Sequence, residues 1–204
     1  MSKKIIVRIA EGIGNQLFMF AHAYALSKKI NYDLYIDNTS GYFQKKNQIR
    51  SYELDKFNIN TNLSDKKYRF DNFLLNLKRN LLKKIDTYKT NKSFLIESKD
   101  RNKITNYYDT AKLNFSDILY VEGHYETEKY FKDFANDLKK KFIINEKYLE
   151  KNNKYIDLVK NSNSVSISVR QHRFSERGQI NYSRSIKFTP KTADYINKAV
   201  IFFK

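Results

Sequence analysis

Cysteine is absent from the 204 residues, so neither a disulfide framework nor a thiolate metal site is available. The three histidines, His22, His124 and His172, stand far apart with no ligand spacing, and no metal is expected. No run approaches the ~20 apolar residues that a membrane-spanning helix requires. The opening MSKK, followed by IIVRIA, has too short an apolar segment and no small-residue cleavage site for a signal peptide. A cytoplasmic location is therefore the expectation. Acidic residues are scarce, 22 against 39 bases, which leaves a net charge of +17. Such a balance attracts polyanions. Yet 30 of those bases are lysines, scattered in pairs such as Lys28-Lys29, Lys66-Lys67 and Lys83-Lys84. Arginine, the better reader of bases and phosphates, occurs only nine times. With no recognised nucleic-acid motif, the charge is read as solubility and loose association, and no nucleic-acid partner is expected.

What the chain does have is a folded composition, 41% hydrophobic and 15% aromatic. Lys4 to Ala10 is a β-branched apolar run that predicts a buried strand. Gly12 and Gly14 interrupt it, and Asn15 offers a side-chain oxygen suited to capping a helix start. Leu17, Phe18, Ala21, Tyr24 and Ala25 follow at helical spacing and predict an amphipathic helix. Strand, glycine turn and helix together aim backbone N–H groups at a position where a phosphate can sit. GIGNQL at 12–17 matches two glycines of a dinucleotide fingerprint, with Asp37 at the end of the next apolar run as a ribose partner. Leu17 stands where that fingerprint has its third glycine. A mononucleotide P-loop is excluded, because Asn15-Gln16-Leu17 supplies no Gly-Lys-Ser/Thr.

Further along, YDLYID at 32–37 predicts a second strand, and Tyr52, Leu54 and Phe57 predict anchors that pin a polar loop to the core. Residues 66–86 carry a helical stripe of Phe70, Phe73, Leu74, Leu77, Leu81 and Leu82, read as core-facing. SFLIES is a short-strand candidate, and ILYVEG at 118–123 a buried strand. Thr127 is expected to cap one helix over EKYFKDFANDLKKKF, and a polar helix is expected at 146–161. Val165, Ile167 and Val169 alternate with serines and predict a strand leading to Arg170. Arg170, Arg173 and Arg177 would then lie at a strand's carboxyl end, where open α/β sheets bind ligands. A last helix is expected to open at Thr189 as cap and Pro190 at its first position.

Several of these stretches resemble one family. EGIGNQLFMFAHAYAL is similar to the opening motif of the bacterial α-1,2-fucosyltransferases, glycosyltransferase family eleven, with Glu11 where that motif has its first glycine. RSYELDKF at 50–57 resembles the family's Arg-x-(Tyr/Phe)-x-Leu-x-x-Phe segment. VEGHYETEKYFKDF resembles its Gly-Tyr-(Phe/Trp)-Gln-Ser-Glu-Lys-Tyr-Phe signature, with His124 and Glu126 as departures. SVSISVRQHRF resembles His-x-Arg-Arg-x-Asp, of which only Arg170 is kept.

The resemblance implies an α/β fold with a Rossmann-like parallel sheet, as the amino-terminal part of a two-domain glycosyltransferase of the GT-B type. Residues 1–163 would form the acceptor-side domain and 164–204 the start of a donor-binding domain cut short at the carboxyl end. The implied reaction is metal-independent, inverting transfer of L-fucose from GDP-fucose to the 2-hydroxyl of a terminal galactose, with no cofactor. Arg170 would be catalytic and hold the diphosphate. Gly12, Ile13, Gly14, Asn15, His172, Arg173, Ser175 and Glu176 would bind substrate. Glu11, Glu126 and Glu176 stand as alternative bases. The implied partners are GDP-fucose and a galactose-terminated glycan, with peripheral association at the inner membrane face. A nucleotide-dependent oxidoreductase, explaining GIGNQL and Asp37, and a basic nucleic-acid-binding module, explaining the charge, are the alternatives.

Overall fold

The structure is a computed structural model that describes residues 3–43, 50–97, 113–165, 167 and 182–202. The chain divides into two compact units, Met1–Leu149 and Glu150–Lys204.

The first unit is α/β, built on a five-stranded, all-parallel, Rossmann-like sheet. In chain order its elements are β1 (Lys4–Arg8), α1 (Ile13–Ile30), β2 (Asp33–Asp37), β3 (Asn62–Leu63), α2 (Phe73–Asp86), β4 (Lys92–Ile96), β5 (Phe115–Glu122) and α3 (Ala135–Lys141). The strand order is β3-β2-β1-β5-β4. β1 is therefore central, with Ile6 beside Tyr35 of β2 on one side and Tyr120 of β5 on the other. A parallel strand covered on both faces has no solvated side, which is why Ile5, Ile6 and Val7 of β1 are apolar and buried in succession.

Alternation along the strands separates two cores. Ile5, Val7, Ile9, Leu119 and Val121 point to the α1 face, where Phe20, Ala21, Ala23 and Leu26 pack against them. Ile6, Phe70 and Tyr120 form the other core, with Leu75 and Leu82 of α2.

α1 is buried nearly all round rather than amphipathic: Gln16, Met19, Phe20, His22, Ala23 and Ser27 join Ala21, Ala25 and Leu26 inside. The cause is a second layer over its outer side. Phe131 lies 5.9 Å from Phe18, Phe142 6.2 Å from Phe20, and Phe134 edge-on to Tyr24. Those aromatics also explain why the single helix expected over 128–142 is broken. It is two 3₁₀ turns, Glu128–Tyr130 and Lys132–Phe134, followed by α3. Thr127 does cap the first turn, accepting from the Lys129 amide.

α2 corrects the expectation more sharply. Asn72 caps it by accepting from the Leu75 amide at 2.9 Å. Of the stripe expected in the core, only Phe70 and Leu82 face inward; Phe73, Leu74, Leu77 and Leu81 are exposed. The inner face is partly charged instead. Arg79 and Lys83 reach Glu122 of β5 at 3.5 and 3.1 Å. Buried Asp86 accepts from the Ser93 and Phe94 amides.

In the second unit, the polar helix expected at 146–161 resolves into a 3₁₀ turn at Glu150–Asn152 and α4 (Asn153–Lys160), preceded by a 3₁₀ turn at Glu146–Tyr148 that closes the first unit. Of the strand expected at 165–169, Val165 and Ile167 are described; both lie outside any strand and are exposed. α5 (Tyr182–Phe202) begins seven residues before the expected cap and carries Pro190 inside it. Proline brings no N–H for the carbonyl of Ile186, so the helix crosses that point one bond short. Among the described residues no helix is long and apolar enough to cross a membrane.

Candidate functional site at the carboxyl ends of β1 and β2

Parallel α/β sheets present ligand crevices beyond the carboxyl ends of their strands, where neighbouring connections diverge. Here that point is β1, whose chain continues to β2 on one side while β5 arrives on the other.

After Arg8 the backbone runs Ile9-Ala10-Glu11-Gly12 and turns into α1. Glu11 sits at φ 65°, the left-handed region that favours glycine. That is the position at which the resembled motif has glycine. Gly12, not Asn15, is the N-cap, extended at φ −80° with no side-chain cap; Asn15 lies a turn too far in. The first intrahelical bond runs from the Gln16 amide to the Gly12 carbonyl at 3.1 Å. The amides of Ile13, Gly14 and Asn15 precede it and have no intrahelical acceptor. A Cβ on Gly14 would meet nothing within 4 Å, so this side of the turn is open. Ile13 contributes only its backbone there, because its side chain packs on the core.

Gln16 holds the turn to the next loop. Fully buried, its amide nitrogen donates to the carbonyls of Glu11 at 2.9 Å and Ser51 at 2.8 Å, and its oxygen accepts from the Glu53 amide at 2.9 Å. The loop so anchored carries Arg50, whose guanidinium pairs with Glu11 at 3.2 Å and lies over Gly12. From β2, Gly41 presses against the end of β1: a Cβ there would stand 1.9 Å from the Ile9 carbonyl oxygen. Only glycine allows that approach, and it brings Tyr42 and Phe43 beside the turn.

The result is an open cleft of about 480 Å³ lined by Asn38, Thr39, Tyr42, Phe43, Arg50, Ser51, Tyr52 and Asp71. Burial, then the charge of Asp55, pushes the Tyr52 phenol up to about 12. Burial chiefly, then Glu53 and Glu11, raises Tyr42 as well. Both phenols are therefore neutral hydrogen-bonding groups on apolar rings at neutral pH. Thr39 donates to Asp71 at 2.9 Å and holds that carboxylate at the rim. Aromatic faces beside an amide, hydroxyls and a carboxylate suit a sugar, whose C–H faces stack and whose hydroxyls need both donors and acceptors.

Asp37 is not offered to a ligand. It is fully buried and accepts from the Thr39 and Ser40 amides, both of their hydroxyls and the Tyr120 phenol. Ser40 in turn accepts from the Phe70 amide at 2.6 Å. No family model, no curated protein and no solved structure matches the chain.

Among the carboxylates considered as bases, Glu11 is joined to the cleft through Arg50, whereas Glu126 is exposed beyond β5. Arg170, His172, Arg173, Ser175, Glu176 and Arg177 lie outside the described residues. Among the described residues no histidine, aspartate and glutamate side chains group as a metal site. Sequence reasoning missed Tyr42, Arg50 and Asp71 as site residues. Arg50 carried a signal, since RSYELDKF was already legible as an anchored phrase; Asp71 carried none.

Proposed function

We propose that the chain is a glycosyltransferase of the α-1,2-fucosyltransferase type, moving L-fucose from GDP-fucose to the 2-hydroxyl of a terminal galactose. The observation that carries this reading is how the resembling stretches meet. Gln16 of EGIGNQLF bonds to the backbone of Ser51 and Glu53 in RSYELDKF. His22 of the same opening stretch stacks on Tyr125 at 3.7 Å and meets Tyr130 edge-on, both from VEGHYETEKYF. Two of the separated resemblances thus each meet the opening stretch, one through backbone bonds to Gln16 and one through rings against His22.

In this reading the amides of Ile13, Gly14 and Asn15 stabilise the departing diphosphate, as preorganised donors do for developing charge. The acceptor hexose lies in the adjoining cleft against Tyr42, Phe43 and Tyr52, positioned by Asn38 and Asp71. Arg170 and Arg173 lie outside the described residues and keep in this proposal only the diphosphate-binding role that the resemblance implies. Glu11 borders the acceptor side, and an oxocarbenium-like transition state asks little of a base. The oxidoreductase reading draws less support, because the ribose partner it requires, Asp37, is spent inside the protein. A cytoplasmic location goes with the glycosyltransferase reading.

The test is lactose-dependent release of GDP from GDP-fucose, with the fucosylated product confirmed by mass spectrometry. Gly14→Val should abolish donor use while leaving the melting temperature within a few degrees, since its side chain points into open space. Asp71→Asn should raise KM for lactose with little effect on GDP affinity. Absence of lactose-dependent release, together with fluorescence-detected NADH binding, would replace this reading with the oxidoreductase one.

A further inference from the structure

We propose that the outer face of α2 seats the protein on an anionic lipid bilayer. The resemblance implies peripheral membrane association without naming a surface; α2 supplies the surface, and its test does not depend on the catalytic reading. Phe73, Leu74, Leu77, Leu81 and Ile85 are 64, 74, 50, 59 and 46% exposed. At 3.6 residues per turn they share an arc of about 120°, centred roughly opposite the Leu75–Leu82 side that meets the sheet. A continuous apolar stripe left uncovered on a folded unit marks an interaction surface.

The surrounding charges select the occupant. Exposed Lys78 borders the stripe, exposed Lys84 lies within its arc in the last turn, Lys66 and Lys67 precede the helix and Lys89 follows it. Tyr88, 91% exposed, stands at the end, a residue suited to the headgroup level. The only acid in the helix, Asp86, is buried and satisfied by backbone amides. The nearby acids, Asp65 and Asp71, stand before the helix start; Thr39 donates to Asp71 and Lys67 lies 4.0 Å from Asp65. An apolar arc bordered by lysines is the pattern of a helix lying in the plane of a membrane interface, its length here about 21 Å. Pairing of two such faces would instead bring Lys78 and Lys84 of one copy against those of another, which argues against a second copy as occupant.

The absence of tryptophan makes the test clean. The full chain carrying Leu77→Trp is mixed with vesicles of phosphatidylcholine alone, or of phosphatidylcholine with phosphatidylglycerol. Expected are co-sedimentation and a blue-shifted, bromolipid-quenched emission with the anionic vesicles only, weakened by added salt. Leu74→Ser with Leu81→Ser should cut the bound fraction at least tenfold with an unchanged circular dichroism spectrum. Lys78→Ser with Lys84→Ser should do likewise. No vesicle binding, or equal binding by the serine variants, would overturn the proposal. Self-association abolished by Leu74→Ser with Leu81→Ser, without lipid binding, would overturn it in favour of a second copy. Capture of an acidic protein without lipid binding would overturn it too.

Discussion

His22 should make the fold acid-sensitive in a way that one substitution removes. The imidazole is 3% exposed, is stacked on Tyr125, and has an Nδ1 with no hydrogen-bond partner among the described residues. Burial, reinforced by the charge of Lys29, lowers its pKa from 6.5 to about 3. Because the folded value lies below the unfolded one, the unfolded state binds the proton first as pH falls. The contribution of neutral His22 is thus intact above about pH 6.5 and drains away from there down to about pH 3. At pH 5 the unfolded imidazole lies about 1.5 pH units inside its charged range, which at 1.36 kcal/mol per unit removes about 2 kcal/mol. For a unit of this size that is about 4–8 °C of melting temperature. His22→Phe keeps the ring stack and sacrifices no bond at Nδ1. Calorimetric melts of both proteins at pH 7 and pH 5 should therefore diverge, the wild type dropping further by this amount. Carboxylate titrations act on both proteins and cancel in the comparison. Parallel losses would refute the reasoning and show that His22 is charged, or solvated, in the folded state.

Gln16→Leu leaves the Glu53 amide and the Glu11 and Ser51 carbonyls without their partner, and should cost about 3 kcal/mol or more by urea denaturation, with faster proteolysis near residue 51. A loss below about 1 kcal/mol would show that water replaces the side chain. Glu11→Gly relieves a left-handed non-glycine residue at the expense of the ion pair with Arg50; it should stabilise by about 1 kcal/mol, and a lower melting temperature would contradict this. Gly123→Ala would place a Cβ 2.4 Å from that of Glu97 and 2.8 Å from the Tyr125 ring, so a destabilisation of about 1–3 kcal/mol is expected, and a neutral result would mean that this corner yields freely.

The βαβ start was legible because its physics is local. A β-branched run, two glycines and a helical apolar period specify β1, the turn and α1 without distant partners. The strand order was not legible, since β1 meets β5 across more than a hundred residues of sequence and no periodicity encodes that pairing. The α2 stripe shows the limit of amphipathic reasoning. Period alone says that a helix has an apolar side; here the sheet takes the side with Leu75, Arg79 and Leu82 because Glu122 supplies a partner for Arg79 and Lys83. Asp37 misled for a related reason: its spacing suits a ribose, but Ser40 and Tyr120, one nearby and one remote, consume its oxygens. The turn was correctly placed, whereas the cleft beside it depends on Gly41 pressing against Ile9, a contact that composition does not announce.

The position of β1 between β2 and β5 also has a consequence for synthesis. On the ribosome β1 and β2 can pair early, but the other edge of β1 waits for a strand nearly eighty residues downstream of β2. At about 5–20 residues per second that interval is roughly 4–16 s. Throughout it the central strand of the sheet shows an open row of amides and carbonyls, a template for any extended neighbour. Nascent-chain yield should accordingly depend on translation speed between Asp37 and Phe115 and on a chaperone able to cover that edge.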